Sequence, residues 1–232
     1  MKRILLLTTL AAMMAAAMAL FGVAQAKPIS DSPDAKCEKL AIKTLGASFN
    51  PANYTFHGGT TGNDTFTGDA GTLEVFCGFG GDDGAFEVQE GDIFLGGAGV
   101  DSVNLNNGTF YGGAGNDLVN TNIGTFNGGA GNDLVFTNNG TFNGGEGNDF
   151  VRINNGIFNG GEGNDSVNLF NQGTFNGGVG NDSVNTNIGT FNGEAGDDSV
   201  TTNDVGGTFN GGAGDDSVNT NRGTVDLGDE PL

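Results

Sequence analysis

Gly112–Asn127 reads GGAGNDLVNTNIGTFN, and Gly128–Asn143, directly after it, reads GGAGNDLVFTNNGTFN. The aromatic column carries this period through the chain: Phe94, Phe110, Phe126, Phe142 and Phe158 stand 16 residues apart. Phe175, Phe191 and Phe209 follow at 17, 16 and 18, and Val225 closes the series 16 later. Phe56 and Phe76 precede it at looser spacings of 20 and 18. Self-similarity at a fixed period marks a solenoid, in which one coil cannot bury its apolar face alone and stacked coils share a core. The fold class expected is all-β, a parallel β-helix or β-roll with a short N-terminal capping helix. Its repeats cover 56–232 and are regular over 94–224.

Composition narrows the alternatives. Of 232 residues 45 are Gly, nearly three times average usage. Only 4 Pro and no Gly-X-Y period exclude collagen. With 28 acids against 8 bases and a net charge of −20, the chain offers no basic patch to displace counterions from a phosphate backbone, so nucleic acid is excluded as a partner. Disorder is the other home of Gly-rich sequence, but a disordered tail has no reason to space Phe so evenly.

The first half of each period, GGAGNDLVN at Gly112–Asn120, recurs as GGAGNDLVF, GGEGNDFVR, GGEGNDSVN and GGVGNDSVN. Clustered Gly permits a tight turn at positive φ with inward carbonyls, and the Asp adds a carboxylate beside them. Such a hard, oxygen-only donor set suits Ca²⁺, which takes 6 to 8 oxygens with tolerant geometry, better than the small octahedral Mg²⁺. The motif resembles the GGxGxDxUx calcium-binding repeat of RTX (haemolysin-type) proteins, and eight copies run in register from Gly96 to Asn219. The resemblance implies Ca²⁺ between equivalent turns of successive coils. It assigns the ligands to Asp101, Asp117, Asp133, Asp149, Asp165, Asp182, Asp198 and Asp216, with Gly112, Gly128, Gly144, Gly160, Gly177 and Gly211. Stacked carboxylates repel unless cations intervene, and so Gly-rich a coil is costly to order. Calcium is therefore expected to be a folding partner.

After each Asp comes a Val (Val103, Val119, Val135, Val151, Val167, Val184, Val200, Val218), expected to point inward. Strand alternation places Leu105, Thr121, Thr137, Ile153, Leu169, Thr186, Thr202 and Thr220 on the same face. The second half, TNIGTFN, has seven residues and no Asp, a departure from the family's two nine-residue halves. A one-sided ladder is inferred, with calcium turns on one edge and narrow Asn/Gly turns on the other. One extra residue in 168–174 and two in 201–208 both fall in the metal-free half. Glu194, Phe79 and Val100 interrupt the motif, and GGTTGND at 58–64 is one residue too long, so Asp64 and Asp83 are expected to bind weakly or not at all.

Upstream, Lys2 and Arg3, the uncharged run Ile4–Val23 and Ala24-Gln25-Ala26 form a Sec-type signal peptide, residues 1–26. An uncleaved membrane anchor is the competing reading. Within the segment 27–55, residues 32–46 read as a helix with Ser32 as N-cap, Pro33 in the first turn and Gly46 as the stop. Its stripe of Cys37, Leu40, Ala41, Thr44 and Leu45 is expected to cover the open end of the array. Export permits a Cys37–Cys77 disulfide; two unpaired thiols fit the sequence equally well.

Catalysis is not expected. Only 27–55 precede the array, no GxSxG or HExxH occurs, and His57, the sole histidine, sits beside a turn Gly where exposure is expected. Arg152 and Arg222 are the only bases of the array. The expected function is an exported calcium-binding β-roll with a structural or surface-binding role, outside the cell or at its surface, with the periplasm as the other destination. Calcium ions are the expected partner, together with a surface, matrix or glycan, and no membrane span in the mature chain. The alternative is an ice-binding or adhesin-like solenoid. It would present Thr109, Thr125, Thr141, Thr174, Thr190, Thr208 and Thr224 beside Asn127, Asn143, Asn159, Asn176, Asn192 and Asn210 as a flat array.

Overall fold

A computed structural model describes residues 32–228; the proposed signal peptide lies outside them. Strands alternate between two parallel sheets of eleven and ten strands, each sheet taking one strand from each successive coil. The coil at the centre runs as strand Leu134–Asn138, a turn at Asn139–Gly140, strand Thr141–Glu146, and a Gly147-Asn148-Asp149 turn. The first turn lies on what we call the narrow edge, the second on the wide edge. Phe142 registers with Phe126 and Phe158, and Val135 with Val119 and Val151. The parallel β-solenoid expected from the 16-residue period is thus the fold.

Thr, Phe and Val favour extended backbone, and alternation sends Phe142 inward between outward Thr141 and Asn143. From Phe94 to Phe209 the rings stack at 4.6–5.0 Å within 19° of parallel, all fully buried. The Val column is buried opposite them through Val200.

The second inward column differs from the expected one. Thr121, Thr137, Ile153 and their equivalents through Thr202 are only half-buried, Thr220 in the last coil is exposed, and the following residue goes inside: Asn106, Asn122, Asn138, Asn154, Asn171, Asn187 and Asn203. The chain turns a corner here, and the two-residue pleat does not survive it. The reason is hydrogen bonding. Each Asn Nδ2 donates to the Oδ1 of the next coil's Asn at 2.8–2.9 Å through Asn187. It also donates to the carbonyl that opens the next coil's following strand, as Asn138 does to Ile157 at 2.8 Å.

Both insertions behave as expected. The first becomes a bulge that pairs Phe170, not Leu169, with Ile153; the second enlarges the turn at 204–207.

The helix spans Pro33–Leu45, with Ser32 Oγ accepting from Ala35 N–H at 3.3 Å and Gly46 at φ +79°. As expected it covers the start of the array, lying over the first strand, Thr55–Gly58, where Gly58 N–H donates to Asp34 Oδ1 at 3.0 Å, and it reaches further onto the outer face. Cys37 and Ala41 pack on Val75, Cys77, Ile93 and Leu95, which alternate with inward Phe76 and Phe94 and so form the outer face of the first coils. Only here is that face continuously apolar; farther on, the same positions are mostly Thr and Asn, as at Thr125 and Asn127, with Tyr111 and Ile157 as the apolar exceptions. Cys37 and Cys77 form a disulfide, their Cα atoms 5.5 Å apart. The aromatic column also begins differently: His57, not Phe56, registers with Phe76 and stacks on it at 5.1 Å. Phe56 joins the cluster beneath the helix.

Candidate metal centre

The wide-edge turn needs Gly where φ is positive, at Gly145 (+119°) and Gly147 (+124°) for the central coil. Phe79 (+72°) and Glu194 (+79°) are the only other residue types the turns hold at positive φ, so the two motif departures keep the backbone shape. Phe79 packs against the helix cluster.

This turn directs each Asp into the coil. Asp101, Asp117, Asp133, Asp149, Asp165, Asp182 and Asp198 are at most 1% exposed, and Asp216, in the last copy, is 7% exposed. Each Asp N–H donates to Oδ1 of the next coil's Asp at 2.6–2.8 Å, unbroken from Asp64 to Asp216. Each Oδ2 from Asp83 to Asp216 has no hydrogen-bonding partner. One oxygen of every carboxylate is thus satisfied and the other is buried bare, a costly state for a charged group.

The Gly residues meet these oxygens. A Cβ on Gly144 would collide with Asp149 Oδ2 and lie 2.6 Å from the carbonyl oxygen of Gly160. The same crowding brings Asp101 towards Gly112, Asp117 towards Gly128, Asp133 towards Gly144, Asp165 towards Gly177 and Asp198 towards Gly211. Every Gly singled out in the sequence therefore presents its carbonyl to the carboxylate of the preceding coil. Gly193 does so for Asp182; it escaped notice because Glu194 breaks the motif beside it.

Asp83 also belongs to the row, 2% exposed and with a bare Oδ2, and its GDD context was the signal for it. Asp64 differs: its Oδ2 accepts from Thr60 N–H at 2.6 Å and Thr60 Oγ1 at 3.0 Å, because the extra turn residue folds back over it. A second, exposed row runs along the same turns, where Asn132 N–H donates to Asn116 Oδ1 and Asn148 N–H to Asn132 Oδ1. Val100 interrupts that row because its side chain has no acceptor.

Burial pushes the Asp117, Asp149, Asp182 and Asp198 carboxyls up to about 7 and those of Asp101, Asp133 and Asp165 up to about 6. The N–H bond to Oδ1 opposes the rise, while neighbouring carboxylates add to it at Asp117 and Asp149. Among the described residues, no three His, Cys, Asp or Glu side chains gather to hold a metal ion. Any cation here would draw on one bare carboxylate oxygen per coil and on main-chain carbonyls, a donor set that fits Ca²⁺.

The first sheet's outer face is regular: Thr125 registers with Thr141, and Asn143 Nδ2 donates to Asn127 Oδ1 at 2.8 Å, a bond that recurs to Asn210. A repetitive solenoid of this kind fits a structural or surface-binding role. No helix among the described residues is long and apolar enough to cross a membrane. No protein-family model matches the chain, and no curated protein or solved structure matches it.

Proposed function

We propose that the chain is an exported calcium-binding β-roll of RTX type whose coils fold with Ca²⁺ and whose role is structural or surface-binding, without catalysis. The observation that carries this is the row of buried, unpartnered Oδ2 atoms from Asp83 to Asp216, which from Asp83 to Asp198 are crowded by a glycine carbonyl of the next coil. Ca²⁺ would supply the positive charge that this row lacks, held by the Asp oxygens and the carbonyls of Gly112, Gly128, Gly144, Gly160, Gly177 and Gly211. The proposed leader at residues 1–26 supports export, and with it calcium concentrations near the roughly 10⁻⁴ to 10⁻³ M range of extracellular modules.

Circular dichroism during a calcium titration tests the reading. At neutral pH the chain is expected to lose β signal in chelator and regain it cooperatively with Ca²⁺ but not with Mg²⁺. A full β signal in excess chelator, with no calcium taken up in equilibrium dialysis, would overturn it. The Thr and Asn rows on the first sheet favour a surface as the partner. Thermal hysteresis in the calcium-loaded protein would identify that surface as ice, and its absence would leave other repetitive surfaces.

A further inference from the structure

We propose a second cation site on the narrow edge of the first coils, formed by Glu74 and Asp92, with His57 as a positioning residue. It is independent of the wide-edge row. From the third coil onward, the residue that opens the first-sheet strand follows a Gly, as Thr109 follows Gly108 and Thr125 follows Gly124. A Cβ on Gly124 would fall 2.7 Å from Asn107 backbone, so stacked narrow turns exclude side chains. Register places Glu74 and Asp92 at this same position. The chain admits them by lengthening the turns before them, with 67–73 after Phe66 and 89–91 after Val88 in place of the single residue Asn107.

Two long turns therefore bury two acids side by side. Glu74 is 2% exposed and Asp92 1%. Asp92 Oδ1 accepts from Glu74 N–H at 3.0 Å, while its Oδ2 has no partner. Glu74 Oε1 lies 2.9 Å from His57 Nε2, and Oε2 accepts from Asp69 N–H at 2.7 Å. Glu74 Oε2 and Asp92 Oδ2 converge beside Gly68, 2.8 and 3.4 Å from where its Cβ would stand. The bare Asp92 oxygen is thus aimed at a point already faced by a second carboxylate oxygen. His57 answers Glu74 but makes no bond to Asp92.

Two carboxylate oxygens without sulfur form a hard donor set, suited to a Ca²⁺-sized divalent ion that completes its shell with main-chain oxygens and water. The His57 contact on the far oxygen of Glu74 would fix the orientation of that carboxylate from behind, as hydrogen bonds to ligating carboxylates do.

Equilibrium dialysis of the full chain at saturating Ca²⁺ tests the site. Asp92→Asn is expected to lose one ion per chain while keeping its β signal, and Glu74→Gln to lose the same ion. His57→Gln should retain it with affinity lowered on the order of tenfold. Asp149→Asn should leave it bound, so failure of the wide-edge reading and failure of this one are distinguishable. An unchanged count in Asp92→Asn would overturn the proposal and assign the pair a shared proton. Should that variant not fold, an unchanged count in Glu74→Gln would do the same.

Discussion

Asp149→Asn is expected to have opposite effects on stability with and without calcium. In the metal-free coil, the Asp149 carboxyl is pushed up to about 7 by burial against 3.8 in the unfolded chain. Keeping it ionised inside therefore costs about 3 to 4 kcal/mol. Three or four such groups offset the roughly 5 to 15 kcal/mol by which a whole domain is stable. The folded state binds the extra protons. Its stabilisation is complete below pH ~4 and is lost as pH rises through the folded values of about 6 to 7. Metal-free protein should thus gain β structure on acidification from pH 8 to pH 5.

Asn is neutral and nearly isosteric with the protonated acid; its Oδ1 can accept from Asp133 N–H and its amide can donate towards Gly160. In metal-free buffer at pH 7.5, Asp149→Asn should therefore stabilise by about 3 kcal/mol, and at pH 4 it should change little. In saturating calcium it should destabilise, because an ionic ligand has gone. Urea unfolding followed by circular dichroism supplies the comparisons at pH 4 and in calcium; in metal-free buffer at pH 7.5, where the chain is expected to have lost β signal, a larger β signal in the variant supplies the fourth. Metal-free stability that rises between pH 5 and pH 8, or an Asp149→Asn effect of one sign throughout, would refute the reasoning.

Phe142→Ala should cost about 3 to 5 kcal/mol in saturating calcium. It removes a fully buried ring stacked at 4.8 and 4.9 Å on its neighbours, whereas Phe86→Ala, at a ring 74% exposed, should stay within about 0.5 kcal/mol on the same melts. Asn138→Ala should cost about 2 to 4 kcal/mol, since it removes both bonds donated by its amide and leaves Asn122 Nδ2 with only its bond to the Thr141 carbonyl; an effect below about 1 kcal/mol in urea unfolding would deny the inner Asn row its role. Reducing the Cys37–Cys77 bridge should lower stability by about 2 to 4 kcal/mol and speed hydrogen exchange first at the strand Glu74–Cys77.

The period, the strands, the Phe and Val columns and the Asp row were legible because each repeats, and a repeated residue type in one register has one environment. Misreadings came where a local rule met a corner. Alternation predicted Thr137 inside, but amide bonding across the narrow turn puts Asn138 there. Spacing alone could not choose between Phe56 and His57, because both first-coil aromatics bury against something, one under the helix and one on Phe76. The helix itself was readable from its caps; its docking site depended on the apolar outer residues Val75, Ile93 and Leu95, which show their meaning only once register is known.

The two edges of the coil solve different problems, and the sequence varies accordingly. On the narrow edge each Asn carries its own donor, so the turn closes without help, and it tolerates a bulge at Phe170 and an enlarged loop around Val205. On the wide edge each Asp brings two acceptors to a turn that supplies one N–H. The deficit is the same in every coil, and a charge lying between coils can relieve it only if the carboxylates stay in line. From Asp83 onward insertions are accordingly confined to the narrow half; the one extra residue in a wide turn, at 58–64, comes where Thr60 satisfies Asp64 Oδ2 itself, while substitutions such as Phe79 and Glu194 enter the wide turn only by adopting its positive φ. Glu74 and Asp92 extend the same logic: where the narrow edge is lengthened enough to hold acids, one oxygen is again left bare.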